Sequence, residues 1–172
     1  MEKKITSHIV KGFIIALILI IFGLIIYFTG LYENKSLQYI QYAILIAGII
    51  WSCTSYASQL NGNVTFGNIF AHGFKTTAVI IVLICIWTFV SLKFLFPEMT
   101  DKIISEARKG MEEKNMSDAD IDRALTLTRD YFMPFAIGGI ILMFCLFGAV
   151  ASLIGAAVAK KKPQDPFAQQ IM

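Results

Sequence analysis

The sequence predicts an all-α fold, an integral membrane four-helix bundle with an extracytoplasmic helical hairpin between its third and fourth helices. Three observations predict it. Of 172 residues, 56% are hydrophobic and only 16% charged, with a mean hydropathy of +0.67; a soluble domain carries about 25% charged residues. The charges fall largely outside four apolar stretches, each near the roughly 20 residues a helix needs to cross a hydrocarbon core of about 30 Å. Between the last two lies an acid-rich insert, residues 97–131, patterned for amphipathic helices. Little chain is left over, so residues 1–172 read as a single membrane domain.

The first span covers about residues 12–29. The preceding "MEKKITSHIVK" has the basic character of a secretory leader. The apolar run is longer than the usual 7–15 residues and ends in "YFTGLYENK" without a small-residue cleavage pattern, so a retained span is expected. The second span covers about residues 37–57. The third covers about 74–96; Lys93 stands one turn before Pro97, where its amino group can snorkel to the surface. The fourth, about 132–159, has no ionisable side chain. In the tail, residues 160–172, Lys160, Lys161 and Lys162 are placed to meet anionic headgroups, and the rest is too polar and proline-rich to fold alone.

Basic clusters near span ends set orientation. Lys3, Lys4 and Lys11 at one terminus and Lys160 to Lys162 at the other place both termini in the cytoplasm, as an even number of spans requires. The first loop, "LYENKS", then lies outside. The loop from about Ala57 to Gly73 lies inside, with Lys75 at the inner end of the third helix. The long insert carries six scattered basic residues against nine acids: Glu98, Asp101, Glu106, Glu112, Glu113, Asp118, Asp120, Asp122 and Asp130. It is assigned to the outside. The two halves share no repeat of the kind that builds many transporters.

Within the insert, "SDADIDRA" imitates the opening of a calcium loop. Such a loop needs glycine at its sixth position and glutamate at its twelfth. Counted from Asp118, those positions hold Arg123 and Arg129. The acids instead suit a helix start: Ser117 caps it by accepting from the Asp120 amide, and Asp118 and Asp120 occupy the first turn. An apolar stripe of Ile121, Leu125 and Thr128 follows. Upstream, Pro97 suits a first turn, Met99, Ile103, Ala107 and Met111 share a face, and "KNM" ends that helix. The apolar stripes pack together or rest on the bilayer. Met133–Pro134 ends the second hairpin helix or kinks it into the fourth span.

Three stretches carry a resemblance: "VTFGNIFAHGF" (Val64 to Phe74), "MSDADIDRA" (Met116 to Ala124) and "IGAAVAKKKPQDPF" (Ile154 to Phe167). In them the chain resembles a family of small four-span bacterial inner-membrane proteins, common in the Bacteroidetes and classed as a domain of unknown function. The resemblance spans nearly the whole chain and implies a fold and a location. It implies no activity and transfers no functional residues.

Candidate sites are few. The central parts of the spans lack ionisable side chains, which in membrane helices mark functional sites by default. That weakens a proton- or sodium-coupled transporter. Cys53, Cys85 and Cys145 have no disulfide or metal spacing and read as small hydrophobes. His8 and His72 stand ahead of the first and third spans and read as surface histidines rather than haem or metal ligands; no cofactor is expected. The motifs of intramembrane proteolysis are missing, and an enzyme would need a buried cavity near His72 and Tyr56. In "SQLNGNVTFGNIF", Asn61-Gly62 marks a turn and Thr65 caps a short interfacial helix with Phe66 and Phe70 entering the bilayer. Asn61, Asn63, Thr65, Asn68 and His72 form the candidate cytoplasmic loop site. In the fourth span, Gly148, Ser152 and Ala156 form one row of small residues and Ala151, Gly155 and Ala159 another. Such rows let helices approach closely, within the chain or in an oligomer. The expected function is that of a non-enzymatic structural or accessory membrane protein. Its partners are the lipid bilayer and another membrane protein or a second copy, with no nucleic acid. The alternative is an oligomeric transporter or channel component.

Overall fold

The computed structural model describes residues 5–31 and 35–160, except the side chains of 35, 36 and 38. Six helices follow in order: α1 (His8–Phe28), α2 (Lys35–Gln59), α3 (Phe66–Val90), α4 (Glu98–Glu112), α5 (Asp118–Asp130) and α6 (Phe132–Val158). A π-helical turn, Ser91–Leu95, extends α3. The described residues include no strand. Four helices are long and apolar enough to cross a membrane: His8–Phe28, Tyr39–Gln59, Phe66–Leu95 and Phe132–Val158. Between 17% and 28% of each apolar window is buried inside the protein. The remaining apolar surface is far more than a water-soluble fold leaves uncovered, and lipid is its solvent. The chain is a multi-pass membrane protein.

Local chemistry fixes the helix ends. Ser7 caps α1 by accepting from the Val10 amide at 3.3 Å. Helix α2 ends with Asn61 in the left-handed region, φ +53°, its N–H donating to the Ser58 carbonyl while the Gly62 N–H donates to Ala57. This pair of bonds satisfies carbonyls that a helix end otherwise leaves open. Helix α4 ends the same way, through Asn115 at φ +54°. Pro134 falls in the first turn of α6, where its missing N–H costs nothing, and α5 ends before it at Asp130.

The third helix starts ahead of the expected span. It begins at Phe66 rather than near Phe74, and Thr65 caps α3 itself, accepting from the Asn68 amide at 3.2 Å. No separate interfacial helix precedes it. Lys3, Lys4, Lys161, Lys162, Tyr32 to Asn34 and the tail beyond Lys160 lie outside the described residues.

The chain forms two compact units, Met1–Leu83 with Met143–Met172, and Ile84–Leu142. In the first, α1 presents Lys11, Gly12, Ile15, Ala16 and Leu19 as one buried face. Leu45, Ile49, Ser52, Cys53 and Ala57 do so for α2, and Ile69, His72, Thr76, Thr77 and Ile80 for α3. Both sets follow the 3- and 4-residue steps of a helix stripe. Small residues set the spacing between these helices. A Cβ at Gly12 would lie 2.8 Å from the Val79 side chain, and one at Gly48 3.0 Å from Ile15.

The second unit holds the end of α3, the α4–α5 hairpin and the start of α6. Ser117 accepts from the Asp120 amide at 3.3 Å and donates to the Asp120 carboxylate at 2.6 Å. Asp118 and Asp120 occupy the first turn of α5, and Asp122 pairs with Arg108 of α4. Ile121 is 1% exposed, with Leu125 and Thr128 half-buried beside it. On α4 Met99, Ala107 and Met111 of the expected stripe are half-buried, but Ile104 is the buried residue where Ile103 is exposed. Arg129 lies 3.6 Å from Asp101. The Lys93 amino group stands 5.3 Å from the Phe89 ring and 5.9 Å from the Phe94 ring.

Candidate functional site

The polar chemistry of the larger unit gathers on α1, α2 and the first turns of α3. Lys11 is only 1% exposed, which corrects its reading as a flanking surface cation. One helical turn after the Ser7 cap, it shares the register of Gly12, Ile15 and Leu19 and therefore points at α2. Its amino group donates to the Ser52 carbonyl at 3.1 Å and stands 5.9 Å from the centre of the Tyr56 ring. The Ser52 hydroxyl lies 3.0 Å from that of Thr76, which donates to the His72 carbonyl at 2.9 Å. Thr76 has one proton, so Ser52 is the donor between them. Gln59, at the end of α2, exchanges two bonds with Thr6 ahead of α1: the Thr6 amide donates at 2.9 Å, and Gln59 Nε2 donates to the Thr6 hydroxyl at 3.0 Å.

His72 is 7% exposed, not a surface histidine. Its ring stacks on Tyr56 with centroids 4.0 Å apart and planes 7° from parallel. His8, half-buried, meets it edge-on at 6.1 Å. The Nε2 atom of His72 is buried without a hydrogen-bond partner. The His72 side chain lines an open recess of about 340 Å³ between the N-terminal turns of α1 and α3, with His8, Tyr56, Asn68 and Lys75 also on its walls.

Of the loop residues singled out by sequence, Asn68 and His72 come to this recess. Asn61 shapes the end of α2, Thr65 caps α3, and Asn63 is exposed with its amide donating to Leu60. Lys11, Ser52 and Thr76 were not singled out. Their signal was register: Ser52 and Tyr56, like His72 and Thr76, are four residues apart and so share a helix face.

Gly148, Ala151, Ser152, Gly155, Ala156 and Ala159 are all buried. A Cβ at Gly148 would collide with the Thr77 side chain of α3, and one at Gly155 would lie 2.7 Å from Cys53 of α2. These positions of α6 pack against helices of the same chain. The Ser152 hydroxyl donates back to the Gly148 carbonyl at 2.6 Å. Buried Cys53 faces the Ile69 carbonyl at 3.7 Å, and Cys85 and Cys145 are half-buried; all three are free thiols.

The model of a protein family, a protein of unknown function (DUF4199), matches residues 11–161. The chain belongs to that family. The match runs from Lys11 to just beyond α6, so it takes in three membrane helices of this DUF4199 member whole, its hairpin, and all but the first three residues of α1. No curated protein and no solved structure matches it.

Proposed function

We propose that this DUF4199 protein is an accessory protein of the bacterial inner membrane that acts by binding rather than by chemistry. The α4–α5 hairpin is its extracytoplasmic interaction module, and both termini are cytoplasmic. One observation carries the reading: the hairpin is a built surface rather than a linker. Its apolar contacts centre on buried Ile104 and Ile121, and Arg108–Asp122 and Arg129–Asp101 join the two helices. Between them lies a recess of about 680 Å³ that sets Asp101, Arg108, Asp122 and Arg129 around Ile104 and Leu125. Charges of both signs around an apolar floor suit a segment of another membrane protein or of a second copy.

Orientation is supported by exposed Lys75 and Lys160 at the helix ends assigned to the cytoplasm. Lys11, being buried, no longer contributes to that argument. The test places single cysteines at Asn115 and Asn61 in a chain whose native cysteines are replaced. On intact cells an impermeant maleimide should label position 115 and reach position 61 only after lysis; the reverse pattern would overturn the topology. A photo-crosslinker at Ser105 should then give a discrete product in native membranes that Ile121→Ala abolishes. No such product means that the hairpin is not the module.

A second reading, a transporter or channel component with its pore between copies, is favoured by Lys11, an ionisable side chain buried between apolar helices near the start of the first span, since such groups in membrane helices mark functional sites by default. Discrete oligomers together with solute flux in liposomes would replace the accessory reading.

A further inference from the structure

We propose that the recess between the N-terminal turns of α1 and α3 binds a phosphate-bearing anion. The proposal is independent of the hairpin. Its first support is the unpartnered Nε2 of His72, on a side chain more than nine-tenths buried and bordering the recess. A buried polar atom without a partner is rare in folded proteins, and a ligand is one of the few things that supplies one. Stacking on Tyr56 fixes the plane of the imidazole, so the Nε2 edge has a set direction.

Charge names the ligand class. His8 and exposed Lys75 share the recess with His72, and Lys11 lies behind Tyr56. Among the described residues of the same compact unit there is no aspartate or glutamate. Among the described residues a metal cation would meet two lysines and no carboxylate, and an anion only favourable charge. The helices add to this. Ser7 and Thr65 cap α1 and α3, so two positive dipole ends border the site. The side chains of His8, Asn68, His72 and Lys75 all line the recess. Two helix starts together with several cationic or neutral donors suit a phosphate, the anion that such ends commonly hold. His72 takes part as the Nε2–H tautomer or as imidazolium, since only those forms donate. The phosphate belongs to a soluble ion or to a lipid headgroup, and the two share this recognition.

The experiment uses the full chain in phosphatidylcholine nanodiscs at low salt. One arm titrates inorganic phosphate by calorimetry. The other replaces a fifth of the lipid with phosphatidic acid and counts retained lipids by native mass spectrometry. At least one arm should saturate, and Lys75→Gln and His72→Gln should each weaken it about fivefold or more, while Lys93→Gln leaves it unchanged. Saturation by free phosphate alone assigns a soluble anion; retention of phosphatidic acid alone assigns a headgroup. If His72→Gln does not fold, Lys75→Gln decides alone, because Lys75 is exposed. Failure of both arms, or binding that both variants leave intact, overturns the site. So does a zinc titration that saturates and depends on His72 while phosphate does not.

Discussion

The Lys11 amino group donates to the Ser52 carbonyl oxygen, 3.1 Å away, and so ties the buried face of α1 to that of α2. Among the described residues of this compact unit no carboxylate is present to balance the amine. Taking an unpaired charge out of water costs several kcal/mol, whereas an apolar side chain of similar volume is often tolerated or better. Lys11→Met should therefore keep the melting temperature in detergent within a few degrees of the parent. Lys11→Ala, which leaves a void, should lose about 2–5 kcal/mol. Equal losses in the two variants would assign the cost to the hydrogen bond rather than to the packing of the lysine stem.

Close approach of α6 to α2 and α3 gives a second expectation. Gly148 leaves room for Thr77, and Gly155 for Cys53, with the Ile50 backbone 3.3 Å from where its Cβ would be. Thr77 is itself buried and has no space to yield. Gly148→Ala and Gly155→Ala should each cost about 1–3 kcal/mol in thermal unfolding, the usual penalty for overpacking. At Gly139 nothing lies within 4 Å of an added Cβ. Gly139→Ala should be neutral, or stabilising by about 0.5–1 kcal/mol through lost backbone freedom.

The hairpin should be held by its apolar contacts and hardly by its ion pairs. Arg108 and Asp122 are 47% and 69% exposed, a setting in which a pair contributes about 0–1 kcal/mol. Ile104→Ala or Ile121→Ala removes a buried side chain and should cost about 2–5 kcal/mol. Amide exchange across residues 98–130 should accelerate strongly in either variant. In Asp122→Asn it should change little. Strong acceleration in Asp122→Asn would put the ion pair, not the isoleucines, at the centre of the hairpin.

Hydropathy made the four long helices legible, because in lipid nearly every residue of a span must be apolar whichever way it faces. Ser117, Asn61-Gly62 and "KNM" were legible too, since caps and left-handed turns depend on the residues that form them. What was lost depended on partners. Lys11 looked like a flanking charge because it lies close to the chain start, yet its register with Gly12, Ile15 and Leu19 turns it toward α2. Asn68 and His72 looked like loop because they are polar, although the Thr65 cap makes them the first turns of α3. Ile103 and Ile104 are adjacent and equally apolar, and packing against α5, not pattern, chose Ile104. The unpartnered Nε2 of His72 is a property of three helices together and leaves no mark on any one of them.

Asn61 and Asn115 hold the left-handed conformation that ends α2 and α4, at φ +53° and +54°. Asparagine tolerates it, glycine does so without a Cβ, and a β-branched residue does not. Asn115→Gly should leave stability nearly unchanged. Asn115→Val should cost about 1–2 kcal/mol, the penalty of one left-handed residue. The damage should appear first at the end of α4, where Met116 N–H bonds the Met111 carbonyl and Asn115 N–H bonds Glu112. Exchange of the amides in that last turn should quicken before the first turns of α4 respond. Asn61→Val should act in the same way on the end of α2, where Gly62 N–H satisfies the Ala57 carbonyl. Asn63→Val, an exposed position without positive φ, is the control and should change stability by less than about 0.5 kcal/mol. If the Asn61→Val protein proved as stable as the Asn63→Val control, α2 would not depend on this turn for its end, and the recess beside Tyr56 would then have to be positioned by α1 and α3 alone.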